Sequence, residues 1–179
     1  YNTVYEVPNM LQWGTPLDVK MYQQWSNYYA DNMNGIKPLK IKGCTTVIPM
    51  AGAGSRFQQA GYTFPKPLID VKGKPMIQLV VENLNIKANY VYVVQKEHRE
   101  KYNLDTLLNL ITPDCKIVEV DGITEGAACT ALLAKEYINK DTPLFFANSD
   151  QFVEWDSNEF LYKTVSYTHL TLPTSTHVG

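Results

Sequence analysis

The feature that most constrains the fold is a regular alternation of short apolar runs and helical patterns between Cys44 and Asp150. The apolar runs are rich in β-branched and aromatic residues, and a stretch of helical period separates each from the next. The predicted strands are CTTVIPM, NYVYVVQ, CKIVEV and TPLFFAN, and the predicted helices are PMIQLVVENLNI, NLDTLLNLI and TEGAACTALLAKEYIN. Such alternation is typical of a mostly parallel sheet with right-handed crossovers. We therefore predict an α/β fold.

Length and composition fit one domain of ordinary size. The chain has 179 residues, of which 45% are apolar and 19% charged, and this argues against global disorder. Because the net charge is −2, we expect no basic surface that would bind a nucleic-acid duplex. The sequence also has no apolar run of about 18 residues that could cross a bilayer. Cys44, Cys115 and Cys129 lack C-x-x-C spacing, so we expect unpaired thiols in a reducing compartment, the cytoplasm.

The first forty residues differ in character from the central alternation. Thr15 and Pro16 predict the N-cap and first position of an amphipathic helix, and the stretch around Gly35 and Pro38 reads as a linker. We expect residues 1–42 to be the end of a preceding unit plus a linker.

The last fifteen residues, 165–179, carry no Asp, Glu, Lys or Arg and show neither a helical nor a strand period. Their stretch VSYTHLTLPT resembles the translation of a transposon-based sequencing adapter. We therefore expect a non-native tail, with residues 43–164 as the N-terminal part of a domain whose gene continues beyond Thr164.

Ligands of parallel α/β sheets bind at the carboxyl ends of the strands. Three features fall at those predicted ends: the glycine-rich loop after Met50, the pair Asp121-Gly122, and Asp150. We expect them to converge on one ligand site.

The loop in VIPMAGAGSRF suits a phosphate group. Gly52 and Gly54 can reach positive φ and let backbone N–H groups approach phosphate oxygens, although a surface turn is compatible with the same pattern. No Gly-Lys-Ser/Thr follows, which excludes a Walker A loop, and Phe57 stands where the dinucleotide fingerprint requires a third glycine. Arg56 can hold phosphate oxygens bidentately.

Two further charged residues and one helix start are candidates for the same site. Lys66 lies between Pro65 and Pro67, whose rings stiffen the backbone, although an ordinary solvated lysine is the alternative. Asp150 suits an oxygen ligand for Mg²⁺, with a turn or helix-cap aspartate as the alternative. The stretch TEGAA (124–128) contains small residues, which would let a flat base lie against the backbone. The alternative is that these residues are small because a helix packs tightly against the sheet there.

Together, A-G-x-G-S-R-F, P-K-P-L, a G-A-A helix start and a strand-terminal Asp resemble the sugar-phosphate nucleotidyltransferases, or nucleoside-diphosphate-sugar pyrophosphorylases, over Thr45–Lys163. The resemblance implies a three-layer, Rossmann-like (GT-A-like), mostly parallel sheet, here incomplete at the C-terminus. It also implies a nucleoside triphosphate and a phosphorylated sugar or similar small acceptor as partners, with Mg²⁺ as cofactor. The chain departs from the family pattern at Ala51-Gly52, where two glycines are common, and at Asn148-Ser149-Asp150, where Gly-Asp is commoner.

The resemblance also implies residue roles. Arg56 holds the triphosphate, Lys66 lies near the reacting phosphates, and Asp150 binds Mg²⁺. The residues implied to contact the nucleotide are the loop residues Ala51, Gly52, Ala53, Gly54 and Ser55 and the base-facing residues Glu125, Gly126 and Ala127.

The implied reaction is nucleotidyl transfer: a sugar-1-phosphate oxygen attacks the α-phosphorus of the triphosphate and pyrophosphate leaves. Two alternatives stay open, a GT-A glycosyltransferase that consumes a nucleotide sugar, and a non-catalytic nucleotide-sensing domain. Asn148 stands at the first position of the D-x-D motif that such glycosyltransferases normally use.

The stretch WGTPLDV resembles the segment that closes many domains of the family, so residues 1–42 could end a tandem copy. We expect the acceptor site and a second metal carboxylate beyond Thr164, and the 179-residue chain by itself to be inactive.

Overall fold

A computed structural model describes residues 9–12, 14–16, 18–19, 40–122, 124, 126–139, 141–157 and 160. Its strands are β1 (Asn9–Gln12), β2 (Lys40–Pro49), β3 (Asp70–Val71), β4 (Lys74–Pro75), β5 (Lys87–Gln95), β6 (Lys116–Val120), β7 (Leu144–Phe146) and β8 (Gln151–Glu154). Its α-helices are α1 (Ser55–Gln59), α2 (Met76–Leu84), α3 (Lys96–Tyr102), α4 (Leu104–Ile111) and α5 (Ala127–Leu132), with 3₁₀ turns at Lys66–Leu68 and Lys135–Tyr137.

The main sheet has four strands in the order β6-β5-β2-β7, and every neighbouring pair is parallel. Val47 in β2 is paired with Val91 of β5 on one side and with Phe146 of β7 on the other. These strands correspond to the four predicted apolar runs. The α/β prediction is confirmed.

Apolar side chains cover both faces of this sheet. Ile48 and Tyr92 belong to a cluster that includes Met76 and Val80 of α2, while Val47 belongs to a separate cluster on the opposite face. Successive residues of a strand point to opposite faces, so two clusters with helices on either side give three layers.

Three helices differ from the sequence prediction. Helix α1 has only five residues directly after the glycine loop and was not predicted. Helix α3 was not predicted, because its sequence KEHREKY buries no residue and so has no apolar stripe. The helix predicted over 124–139 is shorter, since α5 ends at Leu132. Beyond it Ala134 donates its backbone N–H to Ala131, an i→i+3 bond that tightens the chain and buries Ala134 against the sheet.

The N-terminal residues that the structure describes lie on the central domain. Strand β1 is antiparallel to β8, and Val19 is buried in the same cluster as Ile48. The predicted cap is confirmed: Thr15 Oγ1 accepts from the Asp18 N–H at 3.4 Å, and Asp18 Oδ2 accepts from the Thr15 N–H at 2.7 Å. The assignment of residues 1–42 to a preceding unit stays a prediction, and residues 165–179 lie outside the described residues.

All three cysteines are unpaired, as predicted. Burial raises the pKa of the Cys44 thiol, which keeps it protonated and unreactive. Within the described part of the chain, no helix is long and apolar enough to cross a membrane.

Strand β8 is joined to α2 by a buried side chain. The Asn83 amide donates to the Val153 carbonyl and its oxygen accepts from the Val153 N–H, both at 2.8 Å. This paired contact satisfies both backbone groups of a buried strand residue.

We predict that Asn83→Ala lowers the free energy of unfolding by about 2–4 kcal/mol, because it leaves the Val153 N–H and carbonyl without partners. Urea denaturation measures the change. The control is Asn109→Ala on the exposed face of α4, expected to change the free energy by less than about 0.5 kcal/mol. Similar losses in the two variants would contradict the role of the Asn83 contact.

Candidate active site

The carboxyl ends of the parallel strands meet at one edge of the sheet, where they surround an open cavity of about 260 Å³. We call this cavity the cleft. It is lined by residues 49–52, Gly54, Lys66, Pro67, Thr124, Gly126, Thr130 and 148–150. The structure therefore brings together the glycine loop, the P-K-P-L lysine, the start of α5 and the strand-terminal aspartate, as the sequence predicts.

The glycine loop begins where the pairing of β2 with β5 ends. The Met50 N–H donates to the Val93 carbonyl at 2.8 Å, and Ala51 is buried. Gly54 adopts a left-handed conformation with φ of 60°, and a Cβ there would lie 3.4 Å from the Lys66 Cβ. Gly54 therefore uses the positive φ that a glycine can reach.

Gly52 differs from Gly54 in its backbone conformation. Gly52 is not in a left-handed conformation, and a Cβ built on it meets no heavy atom within 4 Å. Its backbone is exposed at the cleft, so the lack of a side chain leaves space there for a ligand rather than permitting a turn.

Lys66 is held in a defined position. It begins a 3₁₀ turn whose N-cap is Pro65, with φ of −55°, and its ammonium forms an ion pair with the Asp150 carboxylate. The ammonium also lies 5.7 Å from the centre of the buried Phe57 ring. Side-chain exposure is 20% for Lys66 and 16% for Asp150, so the pair is partly shielded from water.

Asp150 follows β7 after a short turn. The Ala147 N–H donates to the Val47 carbonyl at 3.1 Å, which fixes the chain beside the glycine loop before it reaches Asn148 and Ser149. These two residues also line the cleft and add oxygen atoms beside the carboxylate. Among the residues described, no group of three or more His, Cys, Asp or Glu could hold a metal ion by itself.

The start of α5 forms another part of the cleft wall. Gly126 is its N-cap, Ala127 is its first residue, and Glu125 lies outside the described residues. The Thr130 hydroxyl donates to the Gly126 carbonyl at 2.9 Å and is hydrogen-bonded to the Thr124 hydroxyl. A Cβ on Gly126 would meet nothing within 4 Å, so this wall has an open backbone surface.

Several predicted residues do not line the cleft. Arg56 is exposed on α1, and a Cβ on Gly14 would lie 3.7 Å from its guanidinium. Ser55 is exposed at the first position of α1, Ala53 faces a different cavity, and Asp121 is exposed. The predicted nucleotide contacts of Ala53, Ser55 and Arg56 stay predictions, and the pair Asp121-Gly122, which was expected to converge on the site, does not line the cleft.

Two residues with clear positions were not predicted for the site. Phe57 was used only to exclude a dinucleotide loop, yet its ring lies beneath the Lys66 ammonium. Thr130 lines the cleft one helical turn after Gly126, and this i, i+4 spacing was the signal that could have identified it.

The two loop glycines allow a matched prediction. We expect Gly54→Ala to lower the free energy of unfolding by about 1–2 kcal/mol, because a side chain at φ of 60° is strained and crowds Lys66. Gly52→Ala should leave it unchanged or raise it by up to about 1 kcal/mol. Guanidinium denaturation compares the two, and equal losses would contradict the assigned loop conformation.

Residues 46–166 match the family model of the MobA-like NTP transferase domain. The chain is 32% identical over 115 residues to the bifunctional protein GlmU of Methanocaldococcus jannaschii, and the match covers 64% of this chain and 27% of that protein. It is 30% identical over 122 residues to the mannose-1-phosphate guanyltransferase of Yarrowia lipolytica, covering 61% of this chain and 31% of the relative. The chain thus spans less than a third of the length of these relatives.

Solved structures show the same fold. A nucleoside-diphosphate-sugar pyrophosphorylase from Vibrio cholerae superimposes with a TM-score of 0.51 at 25% identity, covering 58% of this chain and 46% of that one. A structure titled a glucose-1-phosphate thymidylyltransferase from Bacillus anthracis gives a TM-score of 0.54 at 18% identity, covering 69% and 51%, and supports the fold alone. Because the family model matches well over half of the sequence, the chain belongs to the MobA-like NTP transferase domain family.

Proposed function

We propose that the protein is a sugar-phosphate nucleotidyltransferase, which transfers a nucleoside monophosphate from a nucleoside triphosphate to a sugar-1-phosphate or similar acceptor and releases pyrophosphate. The observation that carries the proposal is the pairing of Lys66 with Asp150 at the glycine loop. This pairing places one cation and one potential metal ligand side by side where a phosphate chain would lie. The relatives' names, which include a mannose-1-phosphate guanyltransferase, point to the same substrate class.

The nucleotide would lie along the cleft. The backbone at Gly52 has no neighbour in the space where a side chain would be, which leaves its surface accessible to phosphate oxygens. The base would lie against the open backbone at Gly126, where the hydroxyl oxygen of Thr124 can accept a hydrogen bond from its polar edge.

Asp150 would hold Mg²⁺. The fit rests on the donor set, because Mg²⁺ is usually bound by one or two carboxylates plus substrate phosphates rather than by an all-protein cage, and Asn148 and Ser149 add oxygen atoms nearby. When bound, the ion neutralises charge on the phosphates. The Lys66 ammonium would then leave the carboxylate and turn to the phosphate oxygens within the same cleft.

Arg56 would supply the second cation. It follows the glycine loop directly but lies beside Gly14, so its guanidinium must rotate toward the phosphates when the nucleotide binds. The guanidinium is exposed, so little packing opposes that rotation.

The reaction needs alignment and charge neutralisation more than covalent chemistry by the protein. An oxygen of the acceptor phosphate forms the new bond to the α-phosphorus. The bond from the α-phosphorus to the bridging oxygen breaks, and pyrophosphate leaves with that electron pair. Lys66 and Arg56 would stabilise the charge that gathers on the transferring and leaving phosphates.

We also propose that the protein works in the cytoplasm, because its three thiols are unpaired and Cys129 is exposed.

Pyrophosphate release by the full-length gene product, assayed with Mg²⁺, nucleoside triphosphates and sugar-1-phosphates, tests the function. We expect Lys66→Ala and Arg56→Ala each to lower the rate by about 10²- to 10³-fold, because each removes a cation from the developing phosphate charge. The control is Lys74→Ala, since Lys74 is exposed and paired with Glu82 on α2, away from the cleft. The rate of this variant should equal that of the wild type.

Wild-type rates in both cleft variants would contradict the proposal. Nucleotide binding without pyrophosphate release in the wild type would favour a nucleotide-sensing domain. Consumption of a nucleotide sugar with transfer of its sugar would favour a glycosyltransferase.

A further inference from the structure

Gln95 is a buried polar residue beside the glycine loop. It is the last residue of β5, in the interior of the sheet, and only 9% of it is exposed. A buried amide is stable only when its polar atoms have partners. Its Nε2 donates to the Ala51 carbonyl at 2.8 Å, across 44 positions of sequence.

This bond extends the β2–β5 pairing into the loop. The regular ladder reaches the Met50 N–H, which donates to the Val93 carbonyl at 2.8 Å. At Gln95 the backbone turns into α3, so the strand ends there. The Gln95 side chain then reaches Ala51, one residue beyond Met50, and fixes the first residue of the loop by a hydrogen bond.

We propose that Gln95 is a positioning residue for nucleotide binding: through the Ala51 carbonyl it holds the loop so that Gly52 and Gly54 face the cleft. The proposal rests on the proposed function, because it assigns Gln95 to the same nucleotide site. Gln95 does not line the cleft. It lies on a second cavity, of about 300 Å³, on the other side of Ala53, so it acts on the nucleotide through the loop and not by contact.

Two variants separate the hydrogen bond from simple packing. Gln95→Met keeps a long side chain of similar volume but removes the donor. Gln95→Glu keeps the shape, and its carboxyl donates when protonated but repels the Ala51 carbonyl when ionised. Burial raises the pKa of such a carboxyl, which makes rescue at acid pH accessible.

The measurement is the dissociation constant for ATP, CTP, GTP, UTP and dTTP with Mg²⁺ in the full-length protein, by calorimetry between pH 5 and 8.5. The dissociation constant of each variant is divided by that of the wild type at the same pH. The ratio cancels the pH dependence that the wild type and the variants have in common, including any contribution from Glu97, His98 and Lys101, which line the second cavity. Gln58→Glu is the control, since Gln58 is exposed on that cavity and would place the same charge there without the bond to Ala51.

We expect Gln95→Met to weaken binding roughly tenfold at every pH. Gln95→Glu should weaken it by at least as much at pH 8.5 and return to within about threefold of the wild type at pH 5. Gln58→Glu should stay near the wild type throughout. A Gln95→Glu ratio that does not change with pH, or ratios of one for both Gln95 variants, would overturn the proposal.

Hydrogen exchange without nucleotide tests the loop separately from the function. We expect the amides of residues 52–54 to exchange roughly tenfold faster in Gln95→Met, with the amides of β5 and β6 unchanged, which also shows that the variant is folded. Unchanged loop exchange would overturn the positioning role. Failure of the wild type to bind any of the five nucleotides would instead contradict the proposed function and leave the exchange result to decide the role of Gln95.

Discussion

The ion pair between Lys66 and Asp150 is the interaction on which the organisation of the site depends. Its partners are 84 residues apart in sequence and meet only because β7 is parallel to β2 and ends beside the glycine loop. Partial burial of two charges carries a desolvation cost, which their mutual attraction offsets only when they are held close. The Pro65 and Pro67 rings and the buried Phe57 beneath the ammonium hold the lysine in that position.

The sheet order explains why the other elements of the cleft lie where they do. Strand β2 has a neighbour on each side, so its loop lies between the ends of β5 and β7. Each neighbour contributes one contact that fixes the loop or its surroundings: Gln95 donates to Ala51, and Ala147 donates to Val47. The cleft is therefore a consequence of strand order, with specific residues added at the strand ends.

Much of this architecture could be predicted because buried parallel strands are continuous apolar runs, and β2, β5 and β7 have that pattern. The edge strand β6 could be predicted from its alternation of apolar and polar residues instead. Helix α3 was missed because it has no apolar face. In the cleft, Asp150 was predicted to lie beside the glycine loop, since residues at strand ends share an edge of the sheet. Lys66 was predicted for the same site from its P-K-P-L motif and the family resemblance. Their direct pairing, the Phe57 ring beneath them and the position of Arg56 beside Gly14 depend on side-chain directions that spacing does not specify. The difference between Gly52 and Gly54 could not be predicted either. A glycine is required both where φ is positive and where a ligand needs the space of a side chain, so the residue type alone does not show which requirement applies.

If Asp150 is the metal ligand and pairs with Lys66 when no ligand is bound, a metal ion and the Lys66 ammonium compete for the same carboxylate. The test is weak Mn²⁺ binding to Asp150 without nucleotide, measured by electron paramagnetic resonance of the free ion as the part of the total binding that Asp150→Asn removes. We expect Lys66→Met to bind Mn²⁺ about tenfold more tightly than the wild type, because the competing ammonium is gone, and Asp150→Asn to lose this binding. Equal affinity in Lys66→Met and the wild type, or undiminished binding in Asp150→Asn, would contradict the account.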